Sequence, residues 1–222
     1  MQHYGEESTM IAVKESVLLD SWVAMSWHQY LSYIEQPQLE KAKAYYYKEH
    51  GRFEMLPVGF GHGKSHVVVT YAINLFCALK AMPLCLVDTT TLRKAGHDDS
   101  QPDLSIWTGV KARAIPDETG IVDLDKYPTP DLVVEIANTS LLDDLGTKRS
   151  LYEELGILEY WVVDIKKSVI IAFEMLEQGS QRIDTSQVLP RLKIAVLERA
   201  LKISRDTDQA QMGAWLLQQF QQ

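Results

Sequence analysis

The stretch "PDLVVEIANTSLLDDLGTKRSLYEELGILEYWVVDI", residues 130–165, decides the fold. A short apolar run at 132–137 is followed by a segment with helical spacing at 141–155 and by a second apolar run at 158–165. A strand, a helix and a strand in such quick succession predict a βαβ crossover in a mixed sheet. The first run lacks a clean alternation of apolar and polar residues, so we expect a strand that is covered on both faces.

Two ionisable side chains stand at apolar positions of these elements. Glu135 lies within the first apolar run, where a carboxylate is costly to bury unless a cation or hydrogen-bond donors meet it. A solvent-facing position on an alternating strand is the simpler explanation. Lys148 lies on the apolar stripe of the helical segment, although a lysine at the edge of such a stripe can also extend its amine into solvent. The apolar members of the stripe are Leu141, Leu145, Tyr152 and Leu155. Because the two intrusions fall on adjacent elements, together they indicate a site.

A further acidic position completes a pattern that can hold a metal ion. Asp103 and Asp131 each follow a proline and open an apolar run, so turn chemistry explains either one, and spacing alone does not choose between them. An Asp, a Glu and a Lys that converge at one sheet can hold Mg²⁺, which prefers oxygen ligands. The metal would polarise a phosphodiester, and the lysine would orient the attacking water or stabilise charge on the phosphate.

The composition is that of an ordinary globular protein. The chain has 222 residues, of which 46% are hydrophobic, and this suffices for one core. We expect a single domain over 1–222, with an N-terminal helical segment at 1–44, a core at 45–190 and C-terminal helices at 191–222. The net charge of -8 argues against a protein that coats nucleic acid in general, without excluding a local basic groove.

Cysteine usage and hydropathy bear on the location of the protein. Cys77 and Cys85 lie in apolar surroundings, so we expect buried free thiols and a reducing, cytoplasmic environment. The longest apolar run, at 67–79, is too short to span a bilayer, so no membrane association is expected.

Two other motifs offer alternatives. The segment "VGFGHGKS" at 58–65, which we expect to be a glycine-rich loop, nearly matches the phosphate-binding loop of nucleoside triphosphatases. Lys64 would then bind a nucleotide, but Val58 stands where the motif needs its first glycine. A zinc site built on His62 and His66 is a weaker alternative, because the chain offers no second firm pair of ligands.

The stretch quoted above resembles a large bacterial family classed as restriction endonucleases, a branch of the PD-(D/E)XK nuclease superfamily. The segments "GRFEMLPVGFGH" at 51–62 and "QPDLSI" at 101–106 resemble earlier parts of the same family, so the resemblance covers roughly residues 45–190. It implies a restriction-endonuclease-like α/β core, in which helices flank a mixed central β-sheet. It also implies a Mg²⁺-dependent DNA endonuclease, with Mn²⁺ as a substitute metal.

The resemblance also implies roles for individual residues. Asp103 and Glu135 match the metal-binding acidic positions, and Lys148 matches the catalytic lysine. The superfamily usually has a lysine two residues after the glutamate, but that position is Ala137 here, and the lysine is expected on the next helix instead. This expectation agrees with the position of Lys148 on the apolar stripe.

Further implications concern supporting residues and partners. Glu54 and His62 match recurrent family positions and are expected to support the metal or the water, with His62 as a further metal ligand. DNA is the expected substrate, and a homodimer is expected by analogy. The acidic net charge keeps a catalytically inactive, nuclease-like binding module as an alternative. The cluster Lys41, Lys43, Lys48, Arg52 and Lys64 offers a local basic groove, although a solvated face is the simpler explanation.

Overall fold

The computed structural model describes residues 19–55 and 59–221. These residues form two compact units: the first contains 19–55 and 91–101, and the second contains 59–90 and 102–221. The beginning of the predicted N-terminal helical segment, before residue 19, lies outside the described residues. No helix in the described ranges is both long enough and apolar enough to cross a membrane.

Helices and strands are numbered in chain order within the described residues. The helices are α1 (Trp27–Ile34), α2 (Phe60–Leu79), α3 (Leu141–Asp144), α4 (Thr147–Glu154), α5 (Ile194–Asp206) and α6 (Gln209–Gln221). The strands are β1 (Val23–Ala24), β2 (Ala42–Tyr47), β3 (His50–Met55), β4 (Leu84–Asp88), β5 (Leu92–Lys94), β6 (Asp98–Ser100), β7 (Leu104–Thr108), β8 (Val122–Asp123), β9 (Leu132–Ala137), β10 (Glu159–Asp164), β11 (Val169–Met175) and β12 (Ser180–Arg182).

The first unit contains α1 and a sheet in which β1, β3, β2, β6 and β5 follow one another in antiparallel pairs. Helix α1 starts at a capping box, in which the hydroxyl of Ser26 accepts the backbone N–H of Gln29. The turn between β2 and β3 is formed by Lys48 and Glu49, with positive φ values of 46° and 57°. The sequence of residues 43–58 predicts two strands around a turn at His50-Gly51; both strands form, but the turn is wrong by two residues, because His50 and Gly51 already belong to β3. The buried core residues of this unit include Met25, Tyr30, Tyr46 and Phe53.

The second unit is built on a mixed sheet with the strand order β12-β11-β10-β9-β7-β4. Strands β9 and β10 pair in parallel and are connected through α3 and α4, which confirms the predicted crossover, and the other neighbouring strands pair antiparallel. All residues of β9 are buried. Val134 and Ile136 pack into a core shared with α2, α5 and α6. The architecture is therefore α/β, with helices flanking mixed sheet as predicted.

Two helices differ from their predicted extents. The stretch 141–155 forms α3 and α4 and not one helix, with a break at Gly146, where a Cβ atom would lie 3.0 Å from the carbonyl oxygen of Leu142. Helix α4 ends before Gly156, whose φ of 73° is typical of a glycine that terminates a helix, as expected for a glycine directly after the segment 141–155. Helix α2 begins at Phe60, so the predicted glycine-rich loop is helical from that residue onward.

Both cysteines are free thiols, as predicted. Burial raises the pKa of the Cys77 thiol to about 11, so this group is inert at neutral pH. Cys85 is only half-buried, and the expectation of full burial is wrong for it.

Candidate active site

The pairing of β7 with β9 places Asp103 beside Glu135. Leu104 stands opposite Val134 in this antiparallel pair, so the residue before Leu104 and the residue after Val134 face each other. The N–H of Ile136 donates to Oδ2 of Asp103 at 2.7 Å and fixes that carboxylate against β9. Asp103 is 5% exposed and Glu135 is 2% exposed. The structure therefore brings the two predicted acidic residues together in a buried position.

Helix α4 brings Lys148 to the same place. Its Nζ atom lies 3.9 Å from Oε1 of Glu135 and 3.0 Å from Oδ1 of Asp144. Lys148 is 1% exposed, so its amine is buried beside carboxylates and is not extended into solvent. The sequence reasoning missed Asp144, which ends α3. Its spacing of one helical turn before Lys148 was the signal that could have identified it as a partner.

Two tyrosines hold the acidic residues in place. The hydroxyl of Tyr152 donates to Oε1 of Glu135 at 2.7 Å, and the hydroxyl of Tyr160 donates to the backbone oxygen of Asp144 at 3.0 Å. Burial raises the pKa of both phenols well above the ordinary value, and nearby carboxylates raise it further. Both hydroxyls are therefore protonated donors at neutral pH. Sequence reasoning treated Tyr152 only as an apolar position, although a tyrosine one turn after a buried lysine can reach the same carboxylate.

Helix α2 presents two histidines on another side of Asp103. Nε2 of His62 lies 3.6 Å from Oδ1 of Asp103. Nε2 of His66 lies 3.2 Å from Oδ1 of Asp88 and 3.3 Å from the backbone oxygen of Asp103. His62 is thus a neighbour of one of the paired carboxylates, whereas His66 contacts the ends of β4 and β7.

Oxygen ligands dominate the donor chemistry of the paired acidic residues, as Mg²⁺ prefers. Among residues 19–55 and 59–221, no group of three or more His, Cys, Asp or Glu side chains is arranged to hold a metal ion. The predicted set of Asp103, Glu135 and His62 is therefore not assembled as a three-ligand site among the described residues, and neither is a zinc site built on His62 and His66. Two adjacent carboxylates remain, and Mg²⁺ characteristically uses one or two carboxylates while it keeps several waters. Asp103 and Glu135 match that requirement.

Asp131, the alternative to Asp103, has a structural role at the other end of β9. Its Oδ1 pairs with the amine of Lys111 at 2.7 Å. Its Oδ2 accepts the backbone N–H of Thr108 at 2.8 Å and the Thr108 hydroxyl at 2.9 Å. These contacts tie the start of β9 to the end of β7. Of the two aspartates, Asp103 is the one that lies beside Glu135.

Glu54 lies on β3 in the first unit. Its Oε1 pairs with Nε of Arg52 at 2.6 Å. Arg52 is 6% exposed and Lys43 is 3% exposed, so both are buried. Neither cation therefore belongs to a solvated face, and neither is available to an open basic groove.

Lys64 lies within the first turns of α2. Its Nζ atom donates to the backbone oxygen of Ser204 at 2.5 Å. A nucleoside triphosphatase needs a loop whose backbone N–H groups wrap around the phosphates before the helix begins. Because the chain is helical from Phe60 onward, residues 60–65 do not form that loop, and the nucleotide-binding alternative loses its structural basis.

Comparisons with known proteins identify the family of the chain and a similar fold. A family profile described as "Uma2: Putative restriction endonuclease" matches residues 27–208. A solved structure from Anabaena variabilis ATCC 29413, described as a putative nuclease belonging to DUF820, shares the fold with a TM-score of 0.58 at 15% sequence identity. The alignment covers 80% of this chain and 99% of that chain. No curated protein matches the sequence. Since the family profile spans most of the residues, the chain belongs to the Uma2 family of restriction-endonuclease-like proteins.

Proposed function

We propose that this protein is a Mg²⁺-dependent endonuclease that hydrolyses phosphodiester bonds in DNA. The observation that carries the proposal is the meeting of Asp103, Glu135 and Lys148 at one buried position of the second unit. Membership in a family described as restriction endonucleases supports a nucleic-acid substrate. Phosphodiester hydrolysis needs charge stabilisation and an oriented water, and these side chains can provide both.

The proposed roles follow from the chemistry of each group. Asp103 and Glu135 would hold the metal, which when bound polarises the phosphodiester and lowers the pKa of a coordinated water. Lys148 would orient the attacking water or stabilise negative charge on the phosphate. The hydrogen bond from Tyr152 orients Glu135, and the Ile136 N–H orients Asp103.

The supporting residues take different roles. We assign His62 to positioning Asp103, because its Nε2 atom lies 3.6 Å from that carboxylate and imidazole is not a typical Mg²⁺ ligand. Glu54 remains a proposed supporting residue, and its ion pair with Arg52 is the contact that the structure shows. Two active sites are needed to cut both strands of a duplex at once, so a homodimer is part of the proposal.

The test is cleavage of a supercoiled plasmid in Mg²⁺ by the wild type and by matched variants. Glu135→Gln and Lys148→Gln should each lower the cleavage rate by about a hundredfold or more, because each removes a group that acts on the reacting atoms. Glu174→Gln on β11 and Lys202→Gln on α5 make the same chemical changes outside the site and should cleave at the wild-type rate. Unchanged cleavage by both site variants would refute the assignment.

A catalytically inactive binding module is the second candidate. The net charge of -8 favours it, since phosphate contacts dominate the affinity of most nucleic-acid-binding proteins. Titration calorimetry with Mg²⁺ and Mn²⁺ separates the two candidates. An endonuclease should bind either metal and lose that binding in Glu135→Gln, whereas a module without a working site should bind neither.

A further inference from the structure

A cavity of about 290 Å³ opens in the second unit, between the first turn of α2 and the last turn of α5. Phe60, Gly61 and Lys64 of α2 and Ser204 and Arg205 of α5 contribute to its lining. The candidate active site described above does not use any of these side chains. The cavity therefore needs an explanation of its own.

The lining has the chemistry of an anion site. The N-terminus of α2 faces the cavity, and its N-cap residue, Gly59, has no side chain that could occupy the first N–H groups of the helix. Such an end carries partial positive charge and binds phosphates readily. The amine of Lys64 donates to the backbone oxygen of Ser204 at 2.5 Å. The guanidinium of Arg205 donates to the backbone oxygens of Ile165 and Lys166. All three acceptors are uncharged backbone oxygens, so these hydrogen bonds do not neutralise the positive charges of Lys64 and Arg205 beside the cavity.

The hydroxyl of Ser204 is an independent sign of a ligand. Ser204 lines the cavity and is 1% exposed, and its Oγ atom has no hydrogen-bond partner among the residues that the structure describes. A buried hydroxyl without a partner destabilises the fold, because it has lost its hydrogen bonds to water and forms none within the protein. An anion with acceptor oxygens in the cavity would supply the missing partner.

One acidic group opposes this assignment. Asp208, which is exposed, lies close enough to Lys64 to sense its charge. The pKa of Asp208 is lowered mainly by hydrogen bonds from Gln211, and to a smaller extent by the Lys64 amine. The carboxylate of Asp208 is opposed by three positive groups, namely the side chains of Lys64 and Arg205 and the N-terminus of α2. Among the residues that line the cavity, only Lys64 and Arg205 are charged, and both are cations.

The cavity lies at the same edge of the mixed sheet as the candidate active site. Ile165, which lines the cavity, donates its N–H to the backbone oxygen of Ala137, two residues after Glu135. His62 follows Gly61, which lines the cavity, in the first turn of α2. Its Nε2 atom lies 3.6 Å from Oδ1 of Asp103. A strand of nucleic acid with one phosphate at Asp103 and Glu135 would therefore run near this cavity.

We propose that the cavity binds a second phosphate of the nucleic-acid substrate, on the strand that the active site cleaves. The proposal rests on the endonuclease function proposed above and adds a contact that sets the register of the strand. Phosphate contacts position a nucleic acid without reading its sequence. Phe60, which is 86% exposed at the rim, provides an aromatic face on which a neighbouring base stacks.

The first test measures the affinity for a short fluorescein-labelled DNA duplex by anisotropy, in EDTA so that metal-dependent cleavage does not occur. Lys64→Gln should weaken binding by about tenfold and reduce the slope of log Kd against log salt by about one, for any DNA sequence. The matched control is Lys80→Gln, which removes the same charge at the other end of α2 and should bind as the wild type does. Equal affinities and slopes for Lys64→Gln, Lys80→Gln and the wild type would overturn the proposal.

The second test uses a substitution that should help folding while it harms binding. Ser204→Ala removes a buried hydroxyl that has no partner in the described chain, so the melting temperature should rise by about 2 °C. The same change should weaken DNA binding by about fivefold, because a hydrogen bond to the phosphate is lost. A higher melting temperature with an unchanged affinity for DNA would show that the hydroxyl of Ser204 has no role in binding, and it would contradict the proposal.

The outcomes distinguish this proposal from the endonuclease assignment. If the wild type cleaves DNA and Lys64→Gln binds it equally well, only the second phosphate site is refuted. If Lys64→Gln weakens binding but no variant or wild type cleaves DNA in Mg²⁺, the phosphate site stands and the endonuclease assignment fails. A wild type that binds no DNA at any salt concentration refutes both.

Discussion

A single substitution can remove the hydrogen bond that the hydroxyl of Tyr152 donates to Glu135. The hydroxyl donates to Oε1 of Glu135 at 2.7 Å, and phenylalanine would fill the same volume without that donor. Partners of metal-binding residues typically contribute ten- to a hundredfold to metal affinity or activity, so we expect Tyr152→Phe to weaken Mg²⁺ binding by about that factor. Titration calorimetry measures it. Tyr160→Phe is the control, because its hydroxyl bonds to a backbone oxygen and not to a carboxylate, and its Mg²⁺ affinity should stay at the wild-type value.

Asp99 makes the stability of the first unit depend on pH. It is fully buried beside Arg93, with Oδ2 2.7 Å from Nε, and burial raises its pKa to about 6 from an ordinary value of 3.8. The folded state therefore holds this proton more tightly than the unfolded chain does. The resulting stabilisation is fully present below about pH 4 and is lost as the pH rises through 6, and it amounts to about 3 kcal/mol.

Urea denaturation of the wild type and Asp99→Asn at several pH values checks this expectation. Asparagine does not titrate, so the variant lacks this pH dependence. The unfolding free energy of the wild type should therefore fall relative to that of Asp99→Asn as the pH rises from 4 to 6. A difference that stays constant over this interval would show that Asp99 has an ordinary pKa.

Among the elements, those with continuous apolar sequence were predictable and those defined by tertiary contacts were not. Strands β9 and β10 and their parallel pairing followed from their apolar runs and the helical segment between them. The polar strands β5 and β6 were not predicted, because the buried carboxylate of Asp99 depends on its ion pair with the half-buried Arg93. Asp144 was missed although it lies one helical turn before Lys148, because the sequence alone does not show that the break between α3 and α4 keeps the two side chains in contact.

The break between α3 and α4 depends on Gly146. A Cβ atom at this position would lie 3.0 Å from the carbonyl oxygen of Leu142, and backbone atoms cannot move away as a flexible side chain does. We expect Gly146→Ala to destabilise the protein by about 1–3 kcal/mol, in the range of overpacking substitutions. Because α4 carries Lys148, the variant should also cleave DNA more slowly. Gly120→Ala is the control, since a Cβ atom there meets nothing within 4 Å. Equal melting temperatures and cleavage rates for the two variants would contradict this explanation of the break.

The two units are connected through the chain in a way that predicts coupled folding. The first unit is not continuous in sequence, because residues 59–90 of the second unit are inserted before its segment 91–101. Strand β6 pairs with β2, so the sheet of the first unit closes only when the ends of this insertion are held together. An unfolded insertion makes that closure costly in entropy, and a folded one removes the cost. We therefore expect the two units to unfold together, as a single domain would.

Hydrogen exchange measured by mass spectrometry tests this coupling. Ile73 is fully buried on α2 in the core of the second unit, and Ile73→Ala should destabilise that unit by about 2–5 kcal/mol. If folding is coupled through the insertion, amides of β2 in the first unit should also exchange faster in this variant, although residue 73 belongs to the other unit. Leu217→Ala, a substitution at a largely exposed position of α6, should leave the exchange of β2 unchanged. Faster exchange confined to the second unit in Ile73→Ala would mean that the first unit holds its sheet closed independently of the insertion.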